Sequence, residues 1–336
     1  MSPVATRGVL LCGHGSRDVD ALNQFEAMAH LVRDHLAPLP VAHGFLEFAT
    51  PIINHALDGL CAHGVTQIDA LPCLLLAAGH AKNDMPSVLN TYAVQHPGVE
   101  IRYGRDLGLD PKMIRAAGQR ITQALDDKVP PYETALLFVG RGASDPDANS
   151  EICKIMRLVW EGLGLGWAQV AYSGVTFPLV SPSLATLVRQ GYKRIVVFPY
   201  FLFTGVLVKR IYAQADEIAR KHPEVEIIKA PYLNTHPLVI DTLLQRYREI
   251  DEGLAVMNCQ LCKYREQALG FEDEVGQVQH SHHHHVEGIG TGEDTKNGAS
   301  ARESHTHHHD HRDHHHHPYP YADHPMGPVT LDKTKD

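Results

Sequence analysis

The sequence contains one pattern of landmarks twice, and this repetition limits the fold more than any other feature. Single glycines and prolines recur 127 residues apart, and the segment His-Pro-x-Val-Glu-Ile occurs at 96–101 and again at 222–227, one residue closer. A shared offset across separate landmarks indicates a tandem duplication of one domain. The matched pairs are Gly13 with Gly140, Pro51 with Pro178, and Pro72 with Pro199.

Each copy alternates apolar, β-branched runs with segments of helical length, which is typical of βαβ units. The runs lie at 8–13, 41–47, 68–76 and 99–104, and again at 135–140, 168–175, 194–203 and 225–233. We therefore predict an α/β protein of two tandem lobes, each a mostly parallel four-stranded sheet flanked by helices, with a cleft between them. The expected divisions are 1–129, 130–252, a cysteine-containing segment at 253–275, and a disordered His-rich tail at 276–336.

Composition excludes several classes of partner. The formal net charge of -9 gives no general basic surface for nucleic acid. Apolar runs reach neither the length of a membrane span nor the pattern of a secretory leader, so a cytoplasmic protein without membrane contact is expected. The lack of a leader and of an evident crossover between the lobes also disfavours a periplasmic-type binding protein.

Three polar residues follow the first three predicted strands of the first copy. His14 follows the first strand, Glu47 the second and His80 the third. Because the carboxyl ends of parallel strands meet at one edge of a sheet, these side chains should lie together. Two imidazoles and one carboxylate suit a borderline divalent cation and leave coordination positions open.

The second copy serves as an internal comparison. At the offset of 127 residues, Arg141, Gly174 and Leu207 replace the three candidate ligands, while the scaffold residues persist. The alternative is that His14 and His80 are ordinary loop histidines and Glu47 is solvated. The joint loss of all three in the copy favours a shared function.

The segments LLCGHGSRD and LLLAAGHAKNDMP, which contain His14 and His80, resemble the two histidine signatures of the sirohydrochlorin chelatase family. The likeness covers about residues 1–250. The remainder is similar to the long form of the cobalt chelatases, in which an MxCxxC segment and a His-rich region follow two fused lobes. Here those features are residues 257–262 and 280–324.

This resemblance implies ATP-independent insertion of Co2+ into sirohydrochlorin, or into its C2-methylated form, on the anaerobic route to cobalamin. It places His14 and His80 at the metal. Imidazole serves as both ligand and proton acceptor, and Glu47 is expected to support the site by holding positive charge or relaying protons. Iron for siroheme, or nickel, remains an alternative metal. A metal-storage protein or metallochaperone, in which the tail is the functional part, remains an alternative class.

The acidic tetrapyrrole calls for cationic groups in the cleft. Five basic residues lie at or near the predicted active edge, and the alternative for each is an ordinary solvated surface charge. They are Arg17, Lys82, Arg141, Lys209 and Arg210.

Cys259 and Cys262 form one CxxC. This spacing fits a redox pair, half of a zinc site, part of an iron-sulfur centre, or no metal chemistry at all. The other cysteines are expected to be buried in the body, with Cys12 and Cys73 in apolar runs typical of buried strands. A [4Fe-4S] cluster would therefore need a second chain, which implies a homodimer through this segment. The resemblance favours the cluster over a disulfide.

Fifteen of the 25 histidines lie between 280 and 324. Their clusters are interrupted by Asp, Thr and Arg, unlike an expression tag, which is the alternative. We predict a reservoir for Co2+, Ni2+ or Zn2+ that raises the local metal supply. Its candidate ligands are His282, His283, His284, His285, His307, His308, His309, His314, His315, His316 and His317.

Overall fold

The computed structural model describes residues 6–255 together with Gly288 and Thr291. The first lobe comprises β1 (Arg7–Gly13), α1 (Val19–Leu36), β2 (Val41–Phe45), α2 (Ile53–Ala62), β3 (Gln67–Pro72), a π-helical turn (His80–Asp84), α3 (Met85–Gln95), β4 (Glu100–Tyr103) and α4 (Pro111–Ala124). The second comprises a 3-10 turn (Pro131–Glu133), β5 (Thr134–Gly140), α5 (Pro146–Leu163), β6 (Trp167–Tyr172), α6 (Val180–Arg189), β7 (Arg194–Pro199), α7 (Val206–Lys221), β8 (Glu226–Lys229) and α8 (Pro237–Asp251).

Two four-stranded parallel sheets form the centres of the lobes, as predicted. Their strand orders are β2-β1-β3-β4 and β6-β5-β7-β8. The register also repeats, since Gly13 pairs with Phe45 in the first sheet and Gly140 pairs with Tyr172 in the second. The two halves of the sequence therefore adopt the same topology.

Several strands are shorter than the apolar runs that predict them, and two of these runs continue into the space between the lobes. The run at 68–76 extends beyond β3, which ends at Pro72. The run at 194–203 likewise extends beyond β7, which ends at Pro199. The extra residues leave the sheets and line a cavity between the lobes. They are apolar because they form the walls of that cavity. The residues are Cys73, Leu74, Leu75, Leu76, Tyr200, Phe201, Leu202 and Phe203.

The last helix of each half packs on the other half. Helix α4 lies against α5 and β7 of the second lobe, whereas α8 lies against α1 and β3 of the first. A single buried core consequently runs from Leu11 and Met28 through Met113 to Phe138 and Leu243. Separate apolar clusters cover the outer face of each sheet. The shared core joins the two lobes into one unit.

Two arginines, one on each of these helices, make equivalent hydrogen bonds to the opposite lobe. Arg120 on α4 donates to the carbonyl of Leu233 at 2.7 Å, and Arg246 on α8 donates to the carbonyl of Leu107 at 2.6 Å. Arg246 is 1% exposed and also pairs with Asp110 at 2.9 Å. Such reciprocal contacts are those of an isologous twofold interface. The duplicated chain is thus arranged as a symmetric dimer is, with both halves in one polypeptide.

Within the described ranges, no helix combines the length and apolar character that crossing a bilayer requires. The predicted Cys259 and Cys262 segment and the eleven tail histidines named above lie outside the described residues.

Candidate functional site

The three candidate ligands meet at the carboxyl edge of the first sheet. His14 directly follows β1, Glu47 lies two residues after β2, and His80 opens the π-helical turn after β3. Because β2, β1 and β3 are neighbours in the sheet, the three loops lie side by side. One atom from each of His14, Glu47 and His80 lies within 4.8 Å of the others.

A close backbone approach holds two of these loops together. The Glu47 amide donates to the His14 carbonyl at 3.0 Å. Gly15 has φ +98°, and a Cβ built there would lie 1.7 Å from the carbonyl oxygen of Glu47. Only glycine fits this contact. The copy repeats it, since a Cβ at Gly142 would lie 2.0 Å from the Gly174 oxygen.

The ring nitrogens of the two histidines have defined roles. His14 Nδ1 lies 3.0 Å from the Gly15 carbonyl, and His80 Nδ1 lies 2.8 Å from Asp84 Oδ2. A carbonyl and a carboxylate only accept, so each Nδ1 carries the proton. In this tautomer each imidazole presents its Nε2 lone pair, and the two Nε2 atoms lie close together.

These lone pairs meet at short range. His14 Nε2 lies 3.1 Å from His80 Nε2 and 2.9 Å from Glu47 Oε1. Three electron-rich atoms this close repel one another unless a proton or a metal ion lies among them. Glu47 is only 9% exposed, which strengthens its attraction for a cation. The geometry therefore suits a divalent metal with two nitrogen ligands and one oxygen ligand.

Asp84 is a site residue that the sequence reasoning did not identify. It is 6% exposed, and Asn83 Nδ2 donates to its other oxygen at 2.9 Å. A carboxylate that fixes the tautomer of a metal-ligating histidine is a recurrent arrangement. The available signal was the spacing of His80 and Asp84, which lie one helical turn apart in HAKND.

A cavity of about 650 Å³ between the lobes opens onto His14 and His80. Its walls are mainly apolar and come from both lobes, including Phe25, Phe48 and Phe203. Such a cavity suits a flat, largely apolar ring that approaches the ligand atoms edge or face on. Arg141 and Leu207, which replace His14 and His80 in the second copy, line the same cavity.

Three of the five basic residues near this edge are already engaged. Lys82 pairs with Asp145 at 2.7 Å and with Asp147 at 3.0 Å. Lys209 pairs with Asp18 at 2.7 Å and with Asp20 at 3.0 Å. Arg210 donates to the Ser173 carbonyl at 2.5 Å. These contacts hold the protein together, and they leave Arg17 and Arg141 as the cations that line the cavity.

The four cysteines of the body were expected to be buried, and this holds for Cys12 and Cys73. Cys61 is half-buried and Cys153 on α5 is exposed, so the expectation is wrong for Cys153. Cys12 lies within β1 at 0% exposure, and Cys73 follows β3 at 3% exposure. Burial raises the pKa of both thiols far above the ordinary value, because the thiolate is poorly solvated there. Neither supplies a thiolate to an external metal.

Comparison with known proteins agrees with the fold. Sirohydrochlorin cobaltochelatase from Priestia megaterium is 35% identical over 77% of this chain and 85% of that protein. Sirohydrochlorin ferrochelatase from Bacillus subtilis (strain 168) is 30% identical over 72% of this chain and 91% of that protein. SirB from Bacillus subtilis with Fe3+ aligns with a TM-score of 0.66 at 28% identity, over 75% of this chain and 100% of that one.

In the part of the chain that the structure describes, the fold and the site define a two-lobed α/β protein with one group of candidate metal ligands beside the interlobe cleft. The sequence model of the CbiX family matches residues 8–124 and again 135–250, so that each half is one copy of the family's unit. The chain belongs to the CbiX family.

Proposed function

We propose that this protein is a chelatase that inserts Co2+ into sirohydrochlorin, or its C2-methylated form, without ATP, on the anaerobic route to cobalamin. The observation that carries the proposal is the convergence of ligand atoms from His14, Glu47 and His80, two of which, His14 and His80, line a cavity of about 650 Å³. The cobaltochelatase name of the Priestia megaterium relative supports the choice of reaction.

Insertion exchanges one divalent metal ion for two pyrrole N–H protons. In the proposed mechanism, the Nε2 lone pairs of His14 and His80 hold the metal at the edge of the cavity, with Glu47 as the third ligand. The tetrapyrrole lies against the apolar walls and faces this site. As the metal moves into the ring, the two imidazoles accept the departing protons, and Glu47 balances the positive charge or relays a proton.

Iron is the second candidate metal. The Bacillus subtilis relative is named a ferrochelatase, and its identity to this chain is close to that of the cobaltochelatase relative. Two imidazoles and a carboxylate bind either ion, because ligand type alone discriminates weakly among first-row divalent metals. The cobalt assignment depends on the likeness of the tail to that of the long cobalt chelatases.

We further propose roles for the segments outside the described residues. Cys259 and Cys262 supply two thiolates, and a [4Fe-4S] cluster usually takes four, so a second copy of the chain would complete it across a homodimer. The tail histidines, at 280–324, act as a reservoir that delivers metal to the cleft. The cytoplasm is the proposed compartment.

The decisive experiment is anaerobic metal insertion into sirohydrochlorin, followed by absorbance. Rates with Co2+, Fe2+ and Ni2+ are compared with the rates of each metal without protein. We expect clear acceleration that is greatest with Co2+. Greater acceleration with Fe2+ would move the assignment to a ferrochelatase, and no acceleration with any metal would overturn the chelatase proposal.

Removing the residues after 252 separates the chelatase from a storage protein. A chelatase retains most of its insertion rate at saturating metal, because His14, Glu47 and His80 all precede the deletion. At limiting metal the full chain should be faster, since its tail raises the local metal concentration. Complete loss of insertion at saturating metal would favour storage or delivery as the essential role.

A further inference from the structure

The cleft contains two guanidinium groups without an anionic partner. Arg17 and Arg141 both line the cavity, and neither has an ion-pair or hydrogen-bond partner for its side chain among the described residues. Arg17 instead lies over the Phe48 ring, 4.9 Å from the centroid. A guanidinium remains charged at any physiological pH and offers five N–H donors. Both groups are therefore free to bind an anion in the cleft.

The two lysines near the cleft, unlike these arginines, form ion pairs with carboxylates. Lys82 and Lys209 occupy equivalent positions in the two lobes, and each binds two aspartates of the opposite lobe. Arg141 differs, because it is exposed to the cavity and no carboxylate lies within ion-pair distance in the described part of the chain. The crowded cleft lowers the pKa of its guanidinium, and Glu47 partly offsets this effect.

Arg141 also occupies a special place in the duplication. It follows β5 as His14 follows β1, at the offset of 127 residues. The reciprocal packing of the lobes brings both positions to the same cavity. Where the first lobe offers a metal ligand, the second offers a fixed positive charge. One cavity therefore has a metal-binding side and a cationic side.

We propose that Arg141, assisted by Arg17, binds the carboxylates of the tetrapyrrole and so sets which edge of the ring lies against the cationic side. This proposal rests on the proposed function. Sirohydrochlorin carries acetate and propionate groups around its rim, and guanidinium matches carboxylate in a two-point hydrogen-bonded fork. Apolar walls hold the ring, while the two arginines fix its rotation in the plane. The second lobe thus has Arg141, a residue that binds the substrate, at the position where the first lobe has His14, a metal ligand.

The test measures tetrapyrrole binding without metal, by fluorescence quenching of sirohydrochlorin, for the wild type, R141Q, R141K and R17Q. R189Q is the matched control, because Arg189 is an exposed arginine on α6 that donates to Thr186 and is not among the residues that line the cavity. We expect R141Q to weaken binding roughly 10- to 100-fold and R17Q less, with R141K intermediate and R189Q unchanged. A sirohydrochlorin whose carboxyl groups are methyl-esterified should bind the wild type and R141Q alike.

Two further measurements distinguish this proposal from the one on which it rests. Calorimetric Co2+ affinity of R141Q should be no weaker than that of the wild type, because removing a positive charge near Glu47 does not disfavour a bound cation, and this result shows that the metal side is intact. The insertion assay should show a raised KM for sirohydrochlorin with a smaller change in kcat. If the wild type binds and metallates sirohydrochlorin, and R141Q and R141K bind it with the same affinity, the proposed role of Arg141 is refuted. The proposed chelatase function is then unaffected. If the wild type neither binds nor metallates it, both proposals fail.

Discussion

Lys82 of the first lobe donates to Asp145 of the second across 2.7 Å, with side chains only 3% and 2% exposed. The equivalent contact between Lys209 and Asp18 has the same 2.7 Å distance, but there the lysine side chain is 54% exposed. Both aspartates also cap a helix through their own side chains. The same interlobe ion pair is thus made twice, once with a buried lysine and once with a solvent-exposed lysine.

This difference predicts unequal effects on stability. Lys82→Met should lower the free energy of unfolding by about 3–5 kcal/mol, because it removes the counter-charge of the buried Asp145 and of the partly buried Asp147. Lys209→Met should cost less than about 1 kcal/mol, since water screens that pair. Urea unfolding of both variants measures the difference. Equal losses would mean that burial does not govern the strength of these contacts.

The second prediction concerns the proposed ligands. His14→Ala and His80→Ala should each lower the rate of metal insertion at least roughly 100-fold, because each removes a ligand and a proton acceptor. His63→Ala is the control, since His63 is an exposed histidine at the end of α2. Circular dichroism should show an unchanged fold. Full activity in both cleft variants would refute the site assignment.

Asp84→Ala should weaken Co2+ binding about 10- to 100-fold without unfolding the protein, because His80 loses the acceptor that fixes its tautomer. Asp84→Asn should lie between this variant and the wild type, since the amide oxygen still accepts from Nδ1 but carries no charge. Calorimetric titration with Co2+ measures both. An unchanged affinity in Asp84→Ala would show that His80 needs no such support.

Gly15→Ala should disrupt both metal binding and folding, because the added Cβ would collide with the Glu47 carbonyl. The matched control is Gly64→Ala, where φ is +79° and no atom lies within 4 Å of the added carbon. The control should lose about 1 kcal/mol from backbone strain alone and keep its Co2+ affinity. Similar Co2+ affinities in the two variants would contradict the proposed role of this contact.

Glu151 predicts a dependence of stability on pH. Burial raises the pKa of this carboxyl to about 7, with the neighbouring Asp106 and Asp147 adding to the effect. The folded protein therefore keeps the Glu151 proton at pH values where the unfolded chain, with an ordinary pKa of 4.5, has released it. Its contribution to stability is present below about pH 4.5 and is lost as the pH rises to about 7.

Glu151→Gln removes the titrating carboxyl and with it the decrease in stability as the pH rises. The variant should match the wild type at pH 4 and exceed its free energy of unfolding by about 1–2 kcal/mol at pH 8, a value reduced for partial solvent exposure. Glu161→Gln is the control on the same helix, where an exposed ion pair with Arg157 should change stability by less than about 0.5 kcal/mol at either pH. A constant difference between Glu151→Gln and the wild type across this range would contradict the linkage.

The sequence by itself determined the topology, because βαβ periodicity and the 127-residue repeat depend on local hydrophobic order and on duplication. It also determined that His14, Glu47 and His80 meet, since parallel strands place their carboxyl ends at one edge. These are consequences of strand order and chain direction. They need no knowledge of how distant side chains pack.

Only the tertiary structure decided which polar groups are engaged. The exchange of α4 and α8 depends on packing between elements that are distant in the sequence, which no local pattern encodes. The same packing commits Lys82 and Lys209 to the opposite lobe, gives His80 its partner Asp84, and leaves Arg141 facing the cavity. Whether a charged side chain is paired depends on its neighbours in space. Of the five basic residues named from the sequence, three make structural contacts, and the other two have no ion-pair partner among the described residues.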